Sequence, residues 1–163
     1  MRRWLCGLLV STHGLAFAGT TPAQITIADA RIDVPQGWVE VSRDSGTAIL
    51  STPDRRQFVT ITQLRFGAAP GLEDFKRICG HRIEAEREDG PEVFIKFDPP
   101  FGSDGSFSWR YSGGNKATSR IFSGYLSLSH KQLITVYVEG VGVSPGTHLV
   151  SFSTWVKGVH RAP

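Results

Sequence analysis

The stretch from Arg120 to Gly142 limits what this chain can fold into more than any other. Two apolar runs, Ile121 to Leu128 and Leu133 to Val138, flank the polar Ser129-His130-Lys131-Gln132. Both runs are rich in β-branched and aromatic residues, which suit a pleated, half-buried backbone, so the stretch reads as a long antiparallel hairpin. On its first strand Phe122, Gly124, Leu126 and Leu128 fall on one side and Ile121, Ser123, Tyr125 and Ser127 on the other. On its second, Ile134, Val136 and Val138 alternate with Leu133, Thr135 and Tyr137. One face of the hairpin is expected to be the greasier. A two-stranded ribbon is marginal by itself in water, so that face demands a covering layer, and two segments of helical period can supply it. The expected fold class is α+β: a single domain whose antiparallel β-sheet carries one middle and one C-terminal helix packed on it.

The first residues read as a leader rather than as part of that domain. Arg2 and Arg3 form a basic end, Trp4 to Val10 is a short apolar run, and Ala16-Phe17-Ala18 has the small-x-small pattern that signal peptidase accepts. Residues 1–18 are therefore expected to be a signal peptide and residues 19–163 a single α+β domain, periplasmic or secreted. A membrane anchor is the alternative, but the apolar run falls well short of the roughly 20 residues a spanning helix needs, and His13 and Gly14 interrupt its continuation. Arg2-Arg3 lacks the rest of a twin-arginine motif. Cys6 lacks the small residues that precede a lipoprotein cysteine, since Trp4-Leu5 stands there.

Export changes what the charge means. Of 18 basic residues Arg2 and Arg3 leave with the leader, so 16 face 15 acids and the mature chain carries only +1. A nucleic-acid binder needs a concentrated basic surface, and no basic stripe interleaved with aromatics occurs, so nucleic acid is not an expected partner. Loss of Cys6 leaves Cys79 as the only thiol, so no intramolecular disulfide can form and stability must come from packing.

In chain order, Ile25 and Ile27, then Ala30, Ile32 and Val34, predict one or two opening strands stopped at Pro35. Trp38 to Val41, Thr47 to Ser51 and Phe58 to Phe66 continue an antiparallel meander through turns at Asp44-Ser45-Gly46 and Pro53-Asp54-Arg55-Arg56. From Leu72 the period changes. Leu72, Phe75, Cys79 and Ile83 share a helical face, with Glu73, Lys76, Arg77, Glu84 and Glu88 largely opposite, and Gly90-Pro91 ends the helix. Val93, Ile95 and Phe97, then Phe107, Trp109 and Tyr111, predict two strands joined by a Gly102 to Gly105 turn. Gly113-Gly114-Asn115 reads as the connection into the long hairpin. Ser144-Pro145 supplies an N-cap and a first-turn proline for a closing helix, whose expected apolar stripe is Leu149, Phe152, Trp155, Val156 and Val159. No internal repeat, long linker or low-complexity segment marks a second domain.

Three pieces of this order resemble the PsbP-like fold of photosystem II extrinsic proteins, Ran-binding nuclear import factors and exported bacterial proteins of the DcrB type. They are Ile32-Asp33-Val34-Pro35-Gln36-Gly37-Trp38, Lys131-Gln132-Leu133-Ile134-Thr135-Val136 and the terminal helix with Trp155. The resemblance implies a central antiparallel sheet with helices against it, used for binding proteins rather than for catalysis. It carries no catalytic residue across.

The residues themselves offer little chemistry. Cys79-Gly80-His81 invites a thiol–imidazole reading, but helical residues two apart point about 200° from one another, so Cys79 is expected to be a buried, inert thiol. His81, His130, His148 and His160 show no i, i+4 pair and no neighbouring Cys pair, so no metal site is expected, and His148 and His160 are expected to face solvent or a helix end. Neither a Gly-x-Ser-x-Gly elbow nor Ser-x-x-Lys occurs, and Ser123, Ser127 and Ser129 alternate as ordinary sheet residues. Glu84, Glu86, Glu88 and Asp89, interspersed with Arg82 and Arg87, read as a solvated helix face or as a docking patch for a basic partner. No catalytic, cofactor-binding or metal residue is assigned, and no cofactor or stable membrane insertion is expected. The expected function is an exported, non-enzymatic protein-binding domain, most sharply a periplasmic immunity protein that neutralises a secreted toxin. The alternatives are an accessory factor for envelope or secretion-machinery assembly and an unrecognised hydrolase.

Overall fold

The computed structural model describes residues 23–161, so the expected leader and its cleavage site at Ala18 lie outside the described residues. The elements in order are β1 (Gln24–Ile27), β2 (Ala30–Asp33), β3 (Val39–Arg43), β4 (Thr47–Ser51), β5 (Gln57–Arg65), α1 (Leu72–Arg87), β6 (Val93–Phe97), β7 (Phe101–Ser103), β8 (Ser106–Asn115), β9 (Arg120–Ser129), β10 (Gln132–Val141), α2 (Pro145–Lys157) and β11 (Val159–Arg161). An antiparallel sheet runs β3-β4-β5-β10-β9-β8-β6, with β7 continuing the β6 edge along β8. A second, three-stranded sheet runs β1-β2-β11. The opening strands thus leave the meander and pair with the end of the chain: Val159, expected to close the helical stripe, pairs with Ile32 instead.

The hairpin at the centre is β9–β10, and its register overturns the expectation of a single greasy face. Leu133 pairs with Leu128 and Tyr137 with Gly124, while Ile134 pairs with Ser127, Val136 with Tyr125 and Val138 with Ser123. Directly opposed residues in an antiparallel pair share a face. The apolar side of β9 therefore lies on one face of the sheet and the apolar side of β10 mainly on the other. Each face accordingly has its own core. Phe75, Cys79 and Ile83 of α1 pack with Phe107, Trp109, Tyr111, Phe122, Leu126, Leu128, Leu133 and Tyr137. On the opposite face Trp155 of α2, Trp38 and the β1–β2 residues Ile25, Ile27, Ala30 and Ile32 cover Ile134, Val136 and Val138 with Val59, Ile61, Ala48 and Leu50.

Among the described residues two half-faces are left uncovered by either helix, diagonally opposed across the sheet. Beside α1, the β4–β5 side carries half-buried Thr47, Ile49, Phe58, Thr60 and Thr62 and exposed Leu64. Beside α2, the β6–β8–β9 side carries Lys96, Ser108, Arg110, Ser112, Ser123 and Tyr125.

The helix ends follow local chemistry. Asp74 Oδ2 accepts from the Gly71 N–H at 3.1 Å at the start of α1, and Ser144 Oγ accepts from the Thr147 N–H at 3.2 Å at the start of α2, with Pro145 in the first turn. Asp104-Gly105 forms the β7–β8 turn with φ of 51° and 74°, the positive pair that a two-residue hairpin turn demands. Gly113 and Gly114, expected to be a connection, lie inside β8. A Cβ on Gly113 would meet the Phe122 ring at 2.6 Å, and one on Gly114 the Arg120 carbonyl oxygen at 2.6 Å and the Phe94 ring at 3.1 Å. These glycines admit large neighbours into a strand, and residues 116–119 make the turn.

Candidate functional site

The half-face of β6, β8 and β9 beside α2 is polar because of the same alternation that buries Trp109, Tyr111, Phe122 and Leu126 on its reverse. Cross-strand pairing puts Lys96, Ser112 and Ser123 in one row, and Arg110 and Tyr125 in the next. Arg110 lies over the Tyr125 ring, 5.3 Å from its centroid, and Tyr125 Oη is 3.3 Å from Ser108 Oγ. The N-terminal half of α2 overhangs one side. Between them opens a cleft of about 270 Å³ lined by Lys96, Asp98, Arg110, Ser112, Ser123 and Leu149, among others.

At the back of this cleft His148 Nε2 and Ser123 Oγ are 3.0 Å apart, both residues buried. Of the expectation that His148 faces solvent or a helix end, the first half is corrected: it sits in the first turn of α2 but is buried, and Ser123, an alternating strand residue as expected, is its partner. His148 lies four residues before Phe152 and seven before Trp155, on the helix stripe that faces the sheet, whereas Leu149 is 55% exposed and outside it. Burial pushes the imidazole pKa down, so the ring is neutral. Its Nδ1 is buried with no partner. A bare lone pair there costs less than an unpaired N–H, so the proton belongs on Nε2, which donates to Ser123. In that tautomer His148 has no basic nitrogen toward Ser123, and no carboxylate holds its other nitrogen. With Nε2 donating and Ser123 Oγ accepting, the pair latches helix to sheet.

The second buried polar cluster joins α1 to the sheet. Glu86 is only 4% exposed: it accepts from Arg82 at 2.8 Å and from Arg120 at 3.2 Å, and Tyr137 Oη donates to it at 3.3 Å. Arg120 also pairs with Glu139 at 3.1 Å and with Asp89, and Arg82 Nε donates to Tyr111 Oη at 2.6 Å. Burial raises both tyrosine hydroxyls far above the ordinary phenol range and keeps them protonated. The expected solvated run is thus divided: Glu84 stays exposed 3.4 Å from His81, while Glu86 anchors the helix. The signal was present, because Glu86 follows Ile83 by three residues on the buried stripe.

Cys79 is buried beneath α1, and desolvation pushes its thiol up to about 12, while His81 points to solvent from the other side of the helix. His160 Nε2 lies 2.8 Å from Asp33 Oδ2 at the surface, and the bond from His160 holds the Asp33 carboxyl below its usual range. His130 occupies the β9–β10 turn with φ of 52°. Among the described residues, no three His, Cys, Asp or Glu side chains converge as metal ligands, and no helix is long and apolar enough to cross a membrane.

No protein-family model and no curated protein matches the sequence. Among solved structures, cyanobacterial PsbP (CyanoP) from Synechocystis sp. PCC 6803 superposes with a TM-score of 0.61 at 14% identity, over 93% of this chain and 98% of that one. The chain has the PsbP fold. LpqN of Mycobacterium tuberculosis, described as involved in cell envelope biogenesis, superposes with a TM-score of 0.58 at 10% identity over 82% and 83% of the two chains. At these identities the PsbP likeness is one of fold, and no residue's role passes across it. Within this PsbP fold the hairpin and the Trp155 helix form the central antiparallel sheet with helices against it that the sequence resemblance implies, and the structure adds that the two helices lie on opposite faces.

Proposed function

We propose that this chain is an exported, non-enzymatic protein-binding domain. The observation that carries the reading is the cluster of exposed apolar side chains at the β6 end of the sheet: Phe94, Phe97 and Phe101 are 46%, 53% and 63% exposed, and exposed Leu149 of α2 lines the cleft with Phe97. An apolar surface of this kind on an exported protein is a recognition surface or an aggregation hazard. The other prominent groups are occupied in packing, including the Cys79 thiol, the Ser123–His148 latch and the Glu86 cluster. In this reading residues 1–18 direct export and are removed, and residues 19–163 act as one domain in the periplasm or outside the cell.

The sharpest form is an immunity protein that seats a secreted toxin. The second form, an accessory factor for envelope or secretion-machinery assembly, draws support from the fold shared with LpqN, a protein involved in cell envelope biogenesis. Deleting the gene separates them. Immunity predicts that the mutant is killed by wild-type siblings and is healthy in monoculture; the accessory role predicts detergent sensitivity in monoculture. Neither phenotype, together with no protein co-purifying with the exported chain, overturns the reading. Mass spectrometry of that chain is expected to find an N-terminus near Gly19, and an intact Met1 would reject export with cleavage.

A further inference from the structure

The two edges of the large sheet are unlike each other. At one end β3 is irregular: its pairing with β4 slips between Glu40 and Ser42, and Arg43 Nε meets Glu40 Oε1 at 3.5 Å. A bulge is a usual means of keeping foreign strands off an edge, and β6 has none. At the other end β6 pairs regularly with β8 through all five residues from Val93 to Phe97, and no described strand pairs with its outer side. Its side chains alternate. Val93 and Ile95 pack toward the α1 core and Phe97 meets the Trp109 ring at 6.0 Å, while Phe94 and Lys96 stand on the α2 face. Lys96 and Arg110 line the cleft together with Asp98, and among the described residues no ion pair joins either cation to an acid, Arg110 lying instead over the Tyr125 ring.

We propose that β6 is a docking edge, to which an extended segment of another protein adds as a strand, with an Asp or Glu facing Lys96 and apolar residues on either side of that acid. This rests on the protein-binding reading above and deepens it. Strand addition satisfies the outward N–H and C=O groups of β6 that no described strand pairs, and the period of two then decides which side chains meet. The partner residue opposite Lys96 shares its face, so its carboxylate lies over the Lys96–Arg110 pair and the Ser112 hydroxyl. The residues before and after it turn to the α1 face, where Ile95 and the exposed Phe97 receive apolar groups. A second copy of this chain is the poorer occupant. Antiparallel β6–β6 pairing places a further Lys96 and Arg110 on the same face as the first pair, whereas an acid complements them.

Photo-crosslinking in the cells that make the protein tests this. A benzophenone amino acid is placed at Phe94, at Glu40 on the β3 edge and at Thr62 on the α1 side, in the full chain, and each crosslinked segment is identified by mass spectrometry. The expected result is one protein crosslinked from position 94, through a segment with an acid between apolar residues. That crosslink should fall at least tenfold in Lys96→Glu and persist in Lys96→Arg, with the circular dichroism of both unchanged. A segment lacking the acid, a crosslink insensitive to Lys96→Glu, or a crosslink to a second copy overturns the proposal. A protein crosslinked only from position 40 or 62 overturns it while leaving the binding reading intact. No protein crosslinked from any position removes both.

Discussion

His148 Nε2 stands 3.0 Å from Ser123 Oγ, tying the N-terminal end of α2 to the middle of β9 out of reach of solvent. The imidazole is neutral because burial lowers its pKa, so the unfolded chain takes a proton at a higher pH than the folded one does. The contribution is fully favourable above the ordinary value of 6.5 and is lost progressively as pH falls from there toward the lowered folded value. Urea unfolding between pH 7.5 and 5 should show stability declining toward acid, and His148→Phe should flatten that slope. Nitrogen NMR is expected to find the proton on Nε2. A proton on Nδ1 would contradict the latch assignment.

Trp155 is wholly buried and meets Trp38 edge-on at 5.1 Å between ring centroids. Trp155→Ala should therefore cost about 3 to 5 kcal/mol, a large share of a typical domain's stability. The readout is thermal unfolding of the isolated variant. A melting temperature equal to wild type would move Trp155 from the core to an interface.

Glu86 is the only acid that touches both Arg82 and Arg120 among the described contacts. Replacing it by Leu leaves Arg120 with Glu139 and Asp89 and Arg82 with Tyr111, so the cost should be about 3 kcal/mol, the low end for a broken buried pair. Equilibrium denaturation measures this. Because the cluster is largely buried, the difference between variant and wild type should change little when salt is raised from 0.05 to about 0.5 M.

Cys79 should be slow to react. With its thiol pushed up to about 12 from 9.0, the thiolate available at pH 8 falls by about a thousandfold, and α1 shields it besides. Labelling by a disulfide reagent at pH 8 should be at least about a hundredfold slower in the native protein than in urea. Cys79→Ala should leave partner binding intact and cost about 1 to 2 kcal/mol.

What the sequence determined by itself was local. Alternation in Ile121–Leu128 and Leu133–Val138, the helical period from Leu72, the Ser144-Pro145 start and the Pro-x-Gly-Trp segment are each set by residues a few positions apart, and they sufficed for the α+β class and the PsbP likeness. Periodicity also indicated that Phe75, Cys79, Ile83 and Trp155 turn inward. Pairing between distant elements decided the rest. Which face each apolar strand side meets depends on the β9–β10 register, and that register sends the two apolar sides largely to opposite faces. Glu86 and His148 sit on buried stripes, but only a partner from another element can stabilise a buried polar group: Arg120 lies 34 residues from Glu86, and Ser123 lies 25 from His148. Gly113 and Gly114 carry turn chemistry in sequence, yet the bulk of Phe94 and Phe122 arriving from neighbouring strands makes them strand residues. The β6 edge is likewise tertiary, because it is defined by the absence of a described strand on its outer side.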